Sequence, residues 1–413
     1  MRRPGRAGRA RRGSRSGRRD RGGRVLIVLE NEPAWTSHRV RKQIETLLGE
    51  GHVVAVITRR DEGNAMFAGR AGLRLLEYPP PVETEGPLGY LIEYGYSFLA
   101  ASVLSVRALR SGGVDVVQFC QPPDIYFPLA RVLRWFGVRV LVDQRDLSPE
   151  LYVARYGRAR LGLLALLRAC ERRSHRGADR IICTNDYQRD RALAASGLPG
   201  RHVVTVRNGP VLAEVDAARG DESLRRGHRY LCCWVGVMGH QDRVDLLVRS
   251  IDHLVHELGR KDCEFALIGP GECQAGMVEL AQQLELEEWV HFTGNLLPPE
   301  VFRYLASADL GLDASLQADI SPVKLYEYMA FGLPVVAFDL PQTRVLAGGA
   351  ATLAGPGDIG AHARAIDELL DRPHWRAALG ETGRARVRDE LAWDHQARRY
   401  AAVVGQLCSG RGR

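Results

Sequence analysis

Short apolar runs alternate along the chain with longer stretches whose apolar residues return every three or four positions. Short unbroken apolar runs suit strands buried on both faces, and the three-to-four spacing suits helices with one covered face. The pattern predicts strands at RVLIVLE (Arg24–Glu30), HVVAVIT (His52–Thr58), DVVQF (Asp115–Phe119), VRVLVD (Val138–Asp143), RIICT (Arg180–Thr184) and HVVTV (His202–Val206). Between the first two lies HRVRKQIETLLGEG, a predicted helix with Val40, Ile44, Leu47 and Leu48 apolar and Gly49 and Gly51 near its end. The polar stretch Asn208–Arg229 reads as a linker, after which the pattern starts again. The second series runs YLCCWVG, a helix over Asp242–Gly259, EFALIG, a helix around Met277–Leu286, VHFTG, a helix from Pro298, LGLD, a short helix and PVVAFD. Strands alternating with helices predict an α/β protein with parallel sheets covered on both faces. Two such doubly wound units bind ligands at the carboxyl ends of their strands, in the crevice between them.

Charge changes this picture at one end only. The formal net charge is +8, but residues 1–23 hold ten Arg and one Asp, and the remaining 390 residues hold 47 basic and 48 acidic side chains. The tail is too poor in apolar residues to fold and is expected to be disordered. The apolar stretch after Arg18-Arg19 is too short for an export signal, and Glu30 ends it. The tail could touch anionic lipid or nucleic acid, or nothing. The neutral body argues against a nucleic-acid partner. No apolar run approaches the roughly 18 residues that a spanning helix needs. YSFLAASVLSVRALR (Tyr96–Arg110) is too short to span, and RLGLLALLRACERRSHR (Arg160–Arg176) reads as a core helix with a polar end. Eight scattered cysteines without a CxxC fit free thiols in a reducing cytoplasm. Arg outnumbers Lys 54 to 3, so Lys42, Lys261 and Lys324 each invite a question.

The sharpest chemistry lies in ADISPVKLYEYMAFGLPVVAFD (Ala318–Asp339). Ser321 suits an N-cap and Pro322 the first helical position, which puts Lys324 in the first turn. A cation there opposes the helix dipole unless an anion sits between it and the free N–H groups. Asp319 precedes the helix and Glu327 follows Lys324 by one turn. That order suits a ligand with phosphates in the middle and hydroxyl-bearing sugars on either side. The plainer alternative is a surface Lys–Glu pair three residues apart. The loop WVGVMGHQD turns through Gly236 and Gly239 into a helix expected near Asp242, either to cradle phosphate or as an ordinary β–α turn. FALIGPGE, with Gly269 and Gly271, is no dinucleotide fingerprint, and there is no Walker lysine.

These segments resemble the retaining family 4 glycosyltransferases (glycosyl transferases group 1), which have the GT-B fold. VGVMGHQDRVDLLVRSI, FALIGPGE, VHFTG and Asp319-x7-Glu327 followed by YMAFGLPVVAFD are similar to the family's C-terminal domain. QPPD (Gln121–Asp124), DQRDLSPELY (Asp143–Tyr152), ADRIICTN and VRNGP are similar to its N-terminal domain, and LAW (Leu391–Trp393) to its closing segment. The resemblance spans about Arg24 to Val404. It implies two Rossmann-like domains facing a central cleft. One is N-terminal and acceptor-side (24–210), completed by a returning C-terminal helix (392–413). The other is C-terminal and nucleotide-sugar-binding (211–391).

Carried over, the resemblance gives Glu327 the ribose hydroxyls and Asp319 the donor sugar. It sets Lys324 and the backbone of Ile320, Ser321, Pro322 and Val323 against the diphosphate, with Gly236, Val237 and His240 in the glycine loop. Asn295 and Leu296 fall where the base docks. Arg145 and Asp146 line the cleft near the reacting carbon, and Asp124 joins Arg145 on the acceptor side. The catalytic set is then Arg145, Asp146, Asp319 and Lys324. Three departures stand out: Val237 and Asp242 replace a common Arg and Lys, Arg145 replaces a common His, and ENEPAWTSHR replaces a Gly-rich first loop. The expected activity is transfer of a sugar from a nucleotide-diphosphate donor, UDP-linked by expectation, to a glycan or lipid-linked acceptor with retention, in cell-surface polysaccharide or glycoconjugate synthesis. No metal or other cofactor is expected. The expected location is the cytoplasm, with peripheral contact at the inner face of the membrane. A nucleotide-sugar epimerase and a non-catalytic sugar-nucleotide binder share the architecture and stand as alternatives.

Overall fold

The computed structural model describes residues 22–30, 32–81, 86–156 and 161–410. The Arg-rich segment expected to be disordered lies, up to residue 21, outside the described residues. The first sheet comprises β1 (Arg24–Val28), β2 (Val53–Arg59), β3 (Leu73–Tyr78), β4 (Val116–Gln121), β5 (Arg139–Gln144), β6 (Arg180–Cys183) and β7 (Val203–Thr205). All are parallel, in the order β3-β2-β1-β4-β5-β6-β7. The second comprises β8 (Tyr230–Val235), β9 (Cys263–Ile268), β10 (Val290–Gly294), β11 (Leu310–Leu312), β12 (Val335–Phe338) and β13 (Ala351–Ala354), also parallel, in the order β10-β9-β8-β11-β12-β13.

Alternate side chains enter cores on opposite faces, as the apolar runs require. Val25 and Ile27 join one core, and Leu26 and Val28 the other. Adjacent Cys232 and Cys233 divide in the same way between the two cores of the second sheet. None of the eight cysteines is in a disulfide. Strands β3 and β13 escaped the sequence pattern. Both are sheet edges, only partly buried, so neither carries an unbroken apolar run. The expected linker holds a short helix, Leu212–Ala217.

The Trp393–Ser409 helix returns to the first sheet, where Trp393, Tyr400, Val403, Val404 and Leu407 share a core with Ile44 and Leu47. It closes over a buried polar network. The Arg39 guanidinium holds both oxygens of Asp143 at 2.8–3.0 Å and the Val206 carbonyl at 2.8 Å. Gln43 donates to Asp143 (2.8 Å), Gln118 donates to Gln43 (2.9 Å), and the Tyr400 hydroxyl donates to Gln118 (2.6 Å). Burial works against the Asp143 charge, but Arg39 prevails and holds the carboxyl below its usual range. This network joins the His38–Gly49 helix, β4, β5, the end of β7 and the C-terminal helix beneath the cleft.

Candidate active site

The site grows from the ends of β8 and β11. Asp313 follows β11 and is 1% exposed. It accepts from the Ser315 hydroxyl (2.8 Å) and from Lys324 Nζ (3.1 Å). Lys324 also lies 3.5 Å from Asp242 and 4.4 Å above the Trp234 ring. The alternative of a surface pair with Glu327 is therefore not what forms: the lysine points inward, between two aspartates. Its helix spans Val323–Ala330 with Pro322 at the N-cap, one residue later than expected. Ser321 is buried and does not cap it. Pro322 holds ψ at 126°, outside the helical range, so regular helix begins only after it. The Tyr328 hydroxyl accepts from the Val235 N–H (2.9 Å) and donates to the Leu312 carbonyl (3.2 Å), fixing the helix to both strand ends.

The two glycine loops pack on each other. A Cβ on Gly269, whose φ is 128°, would stand 1.9 Å from the Gly236 carbonyl oxygen. The Met238 N–H donates to Pro270 (2.7 Å), and the Cys273 N–H donates to Met238 (3.0 Å). The second loop's glycines thus serve loop-to-loop contact. Gly236 borders the lysine: a Cβ there would lie 3.3 Å from Lys324 Nζ. No helix begins at Asp242. His240–Asp242 form one 3-10 turn, Arg243 takes a left-handed φ of 50°, and the helix starts at Val244. The chain must turn back at Arg243 before a helix can start, and this puts Asp242 beside Lys324. Val237, His240 and Asn295 are exposed on the rim, and Leu296 is half-buried.

Facing this helix are residues of the first domain. Arg145, just past β5, donates to Glu32 (3.1 Å) and lies 4.0 Å from Asp143. Its carbonyl accepts from Gln188 (2.9 Å) and Thr184 (3.2 Å). Burial pushes the Asp146 carboxyl up to about 6, against the pull of Arg145 and with a push from the Asp319 charge. Burial and the charge of Glu150 raise Asp319 as well. Asn185 donates to the Asp319 carbonyl at 2.9 Å, a direct tie between the domains. Burial pushes Glu327 to about 7, opposed by Lys42. Lys42 donates to Gly209 (2.6 Å) and sits 5.0 Å over the Trp393 ring; burial lowers it to about 8. Asp124 is buried deeper, accepts from the Ser148 hydroxyl, and is pushed by burial to about 7.

Asp319, Lys324 and Glu327 thus lie in order about one helix start, with Arg145 and Asp146 on the facing domain. Their side chains part, however: Lys324 turns to Asp313 and Asp242, Glu327 feels the charge of Lys42, and Asp319 acts through its charge on Asp146. Sequence reading missed Glu32, Asp242's contact with Lys324, and Asp313. A signal for Asp313 was available, as the lone acid ending the apolar run LGLD. Among the described residues no three His, Cys, Asp or Glu side chains are placed to hold a metal ion, and no helix is long and apolar enough to cross a membrane.

Residues 36–209 match the glycosyl transferase 4-like domain, and residues 229–372 match the glycosyl transferases group 1 domain. The chain is 30% identical over 166 residues to the MMP alpha-(1->4)-mannosyltransferase of Mycolicibacterium hassiacum, covering 38% of this chain and 40% of that one. It is 28% identical over 267 residues to a GDP-mannose-dependent alpha-(1-6)-phosphatidylinositol monomannoside mannosyltransferase of Mycolicibacterium smegmatis, covering 60% and 67%. Sucrose-phosphate synthase from Thermosynechococcus elongatus superposes with a TM-score of 0.76 at 18% identity, over 93% of this chain and 99% of that one. Anabaena HepE in complex with UDP-glucose superposes with a TM-score of 0.72 at 14% identity, over 93% and 100%. With both domain models matched in order on two parallel-sheet units, the chain belongs to the group 1 glycosyltransferases and has the GT-B fold.

Proposed function

We propose that this chain moves a hexose from a nucleoside-diphosphate donor to a glycan or lipid-linked acceptor, with retention of configuration, in building cell-envelope glycoconjugates. The observation that carries this is the row Asp319, Lys324, Glu327 at one helix start, opposite Arg145 and Asp146. Glu327 takes the ribose hydroxyls, Lys324 and the backbone from Ile320 to Val323 take the diphosphate, and Asp319 takes the sugar. Uridine and guanosine donors are both candidates. GDP-mannose is the first to test, because a sequence relative carries it in its name. The protein positions the reactants and stabilises the departing diphosphate, whose oxygen takes the acceptor proton on the same face. Incubation with radiolabelled donors and membrane lipids, with NMR of the product anomer, tests the reading. Sugar turnover without any acceptor would favour an epimerase, and binding without turnover a non-catalytic relative.

Glu327→Ala is expected to weaken nucleoside-diphosphate binding by about 1–3 kcal/mol as charge-assisted hydrogen bonds are lost. Asp319→Ala should leave the bare diphosphate nearly unaffected and lower kcat with the complete donor. Calorimetry and steady-state kinetics separate the two; equal weakening of the bare diphosphate would sink the assignment.

Peripheral membrane contact has its own support. The Gly86–Gly112 helix presents Ile92, Tyr96, Leu99, Val103 and Val106 to solvent, and the neighbouring Phe127–Trp135 helix ends in exposed Trp135 and Phe136. Arg107, Arg110 and Arg131 are exposed on the same two helices. An apolar stripe beside arginines suits an anionic bilayer surface. The chain should pellet with phosphatidylglycerol vesicles and not with phosphatidylcholine vesicles, and Val103→Asp with Val106→Asp should release it. Equal behaviour with both vesicles would contradict this contact.

A further inference from the structure

Lys324 is already engaged before any ligand arrives. Its two carboxylate neighbours differ in kind. Asp313 is 1% exposed, lies beneath the lysine and also holds Ser315. Asp242 approaches from the rim turn, with its side chain 20% exposed, at 3.5 Å. The subsite therefore holds one formal cation and two formal anions. A nucleoside diphosphate adds about two to three negative charges, and the helix start offers only about half a positive unit. Two anions at one lysine repel each other unless one gives way.

We propose that Asp242 takes up a proton from solvent as the donor diphosphate binds, which frees Lys324 to face the phosphates. This rests on the donor reading above and deepens it. The surroundings of Asp242 leave the lysine as its main cationic neighbour. Arg243 is turned to Asp245 at 2.8 Å. Glu150, on the Ser148–Tyr156 helix that packs against the turn, is engaged with Arg191 at 2.9 Å. His240 sits 3.5 Å from the Cys273 sulfur, with Glu272 next in sequence. Asp313 adds negative charge from below. Burial, with Asp313, already holds the Asp242 carboxyl above its usual range against the pull of Lys324. A divalent cation bridging Asp242 to the phosphates is the competing device. The lysine ammonium stands between the two carboxylates, and among the described residues no third group completes a metal set.

Titration calorimetry of the full chain with UDP and with GDP, in buffers of different ionisation enthalpy, reads the proton directly. At about pH 8 the parent should take up about one more proton per bound nucleotide than Asp242→Asn. Asp242→Asn should bind about tenfold tighter than the parent at about pH 8, and the gap should narrow as the pH falls, because protonating the parent carboxyl beforehand removes that cost of binding. The nucleotide's own titration is common to both proteins and cancels. Equal proton uptake, or no tightening in a variant with an unchanged melting temperature, overturns the proposal. Binding by the parent only when Mg2+ is added overturns it in favour of the cation. If the parent binds neither UDP nor GDP, the donor reading itself fails, and this inference falls with it.

Discussion

Arg39→Ala should cost about 3–5 kcal/mol of stability, because removing one partner of a buried ion pair strands the other. Arg39 and Asp143 are 6% and 0% exposed at their side chains, and the guanidinium also satisfies Val206 and Asn208. Against a typical total of about 5–15 kcal/mol, that loss takes much of the first domain's margin. The apparent melting temperature should fall by about 10 °C. Asp143→Asn in the same background should recover part of the loss, since a neutral amide needs no counterion. A drop of only a degree or two would show that the network is not what ties the C-terminal helix and β5 together. Arg145 follows Asp143 by two residues, so the variant should also loosen that side of the cleft.

Lys324→Ala should have two effects of comparable size. Asp313 loses its counterion at 1% exposure, and Asp242 loses the same partner. A stability loss of about 3–5 kcal/mol in the second domain follows. It should ease on acidification, because a protonated carboxyl needs no counterion. Donor binding should weaken as well, and turnover should fall with it if the lysine stabilises the leaving diphosphate. Lys324→Met keeps most of the volume over Trp234 and should show the same two losses. A variant that melts like the parent would mean Asp313 is satisfied otherwise. One that melts lower yet binds nucleotide normally would remove Lys324 from the donor site.

Strands buried on both faces were legible because their apolar runs are unbroken. Strands β3 and β13 were not: Arg74 and Glu77 interrupt the first and Thr352 the second, at positions exposed or only partly buried. Arg39 and Gln43 look polar in the helix His38–Gly49, whose apolar positions alone were expected inside. Both are buried because a helix more than 350 residues away closes over them. At the site, Asp319, Lys324 and Glu327 announced themselves by spacing. The partners of Lys324 did not, because Asp313 and Asp242 lie on other segments and only the sheet brings them together. Asp242 was expected at a helix start, where it would oppose phosphate. The positive φ of Arg243 moves the helix start on and leaves Asp242 beside the lysine, a turn that no local glycine signals. Glu32 lies ahead of the His38–Gly49 helix in a stretch without periodicity, so nothing in the sequence linked it to Arg145.

The central claim is that Glu327 holds the ribose of a nucleotide sugar in this cleft. Thermal shift across a panel of UDP- and GDP-sugars, run in parallel on the parent and Glu327→Ala, tests it most directly, since binding stabilises the folded state in proportion to affinity. At least one nucleotide sugar should raise the parent's melting temperature, and the same compound should move Glu327→Ala much less. A panel that leaves the parent unmoved, or a ligand that stabilises both proteins equally, would contradict the account.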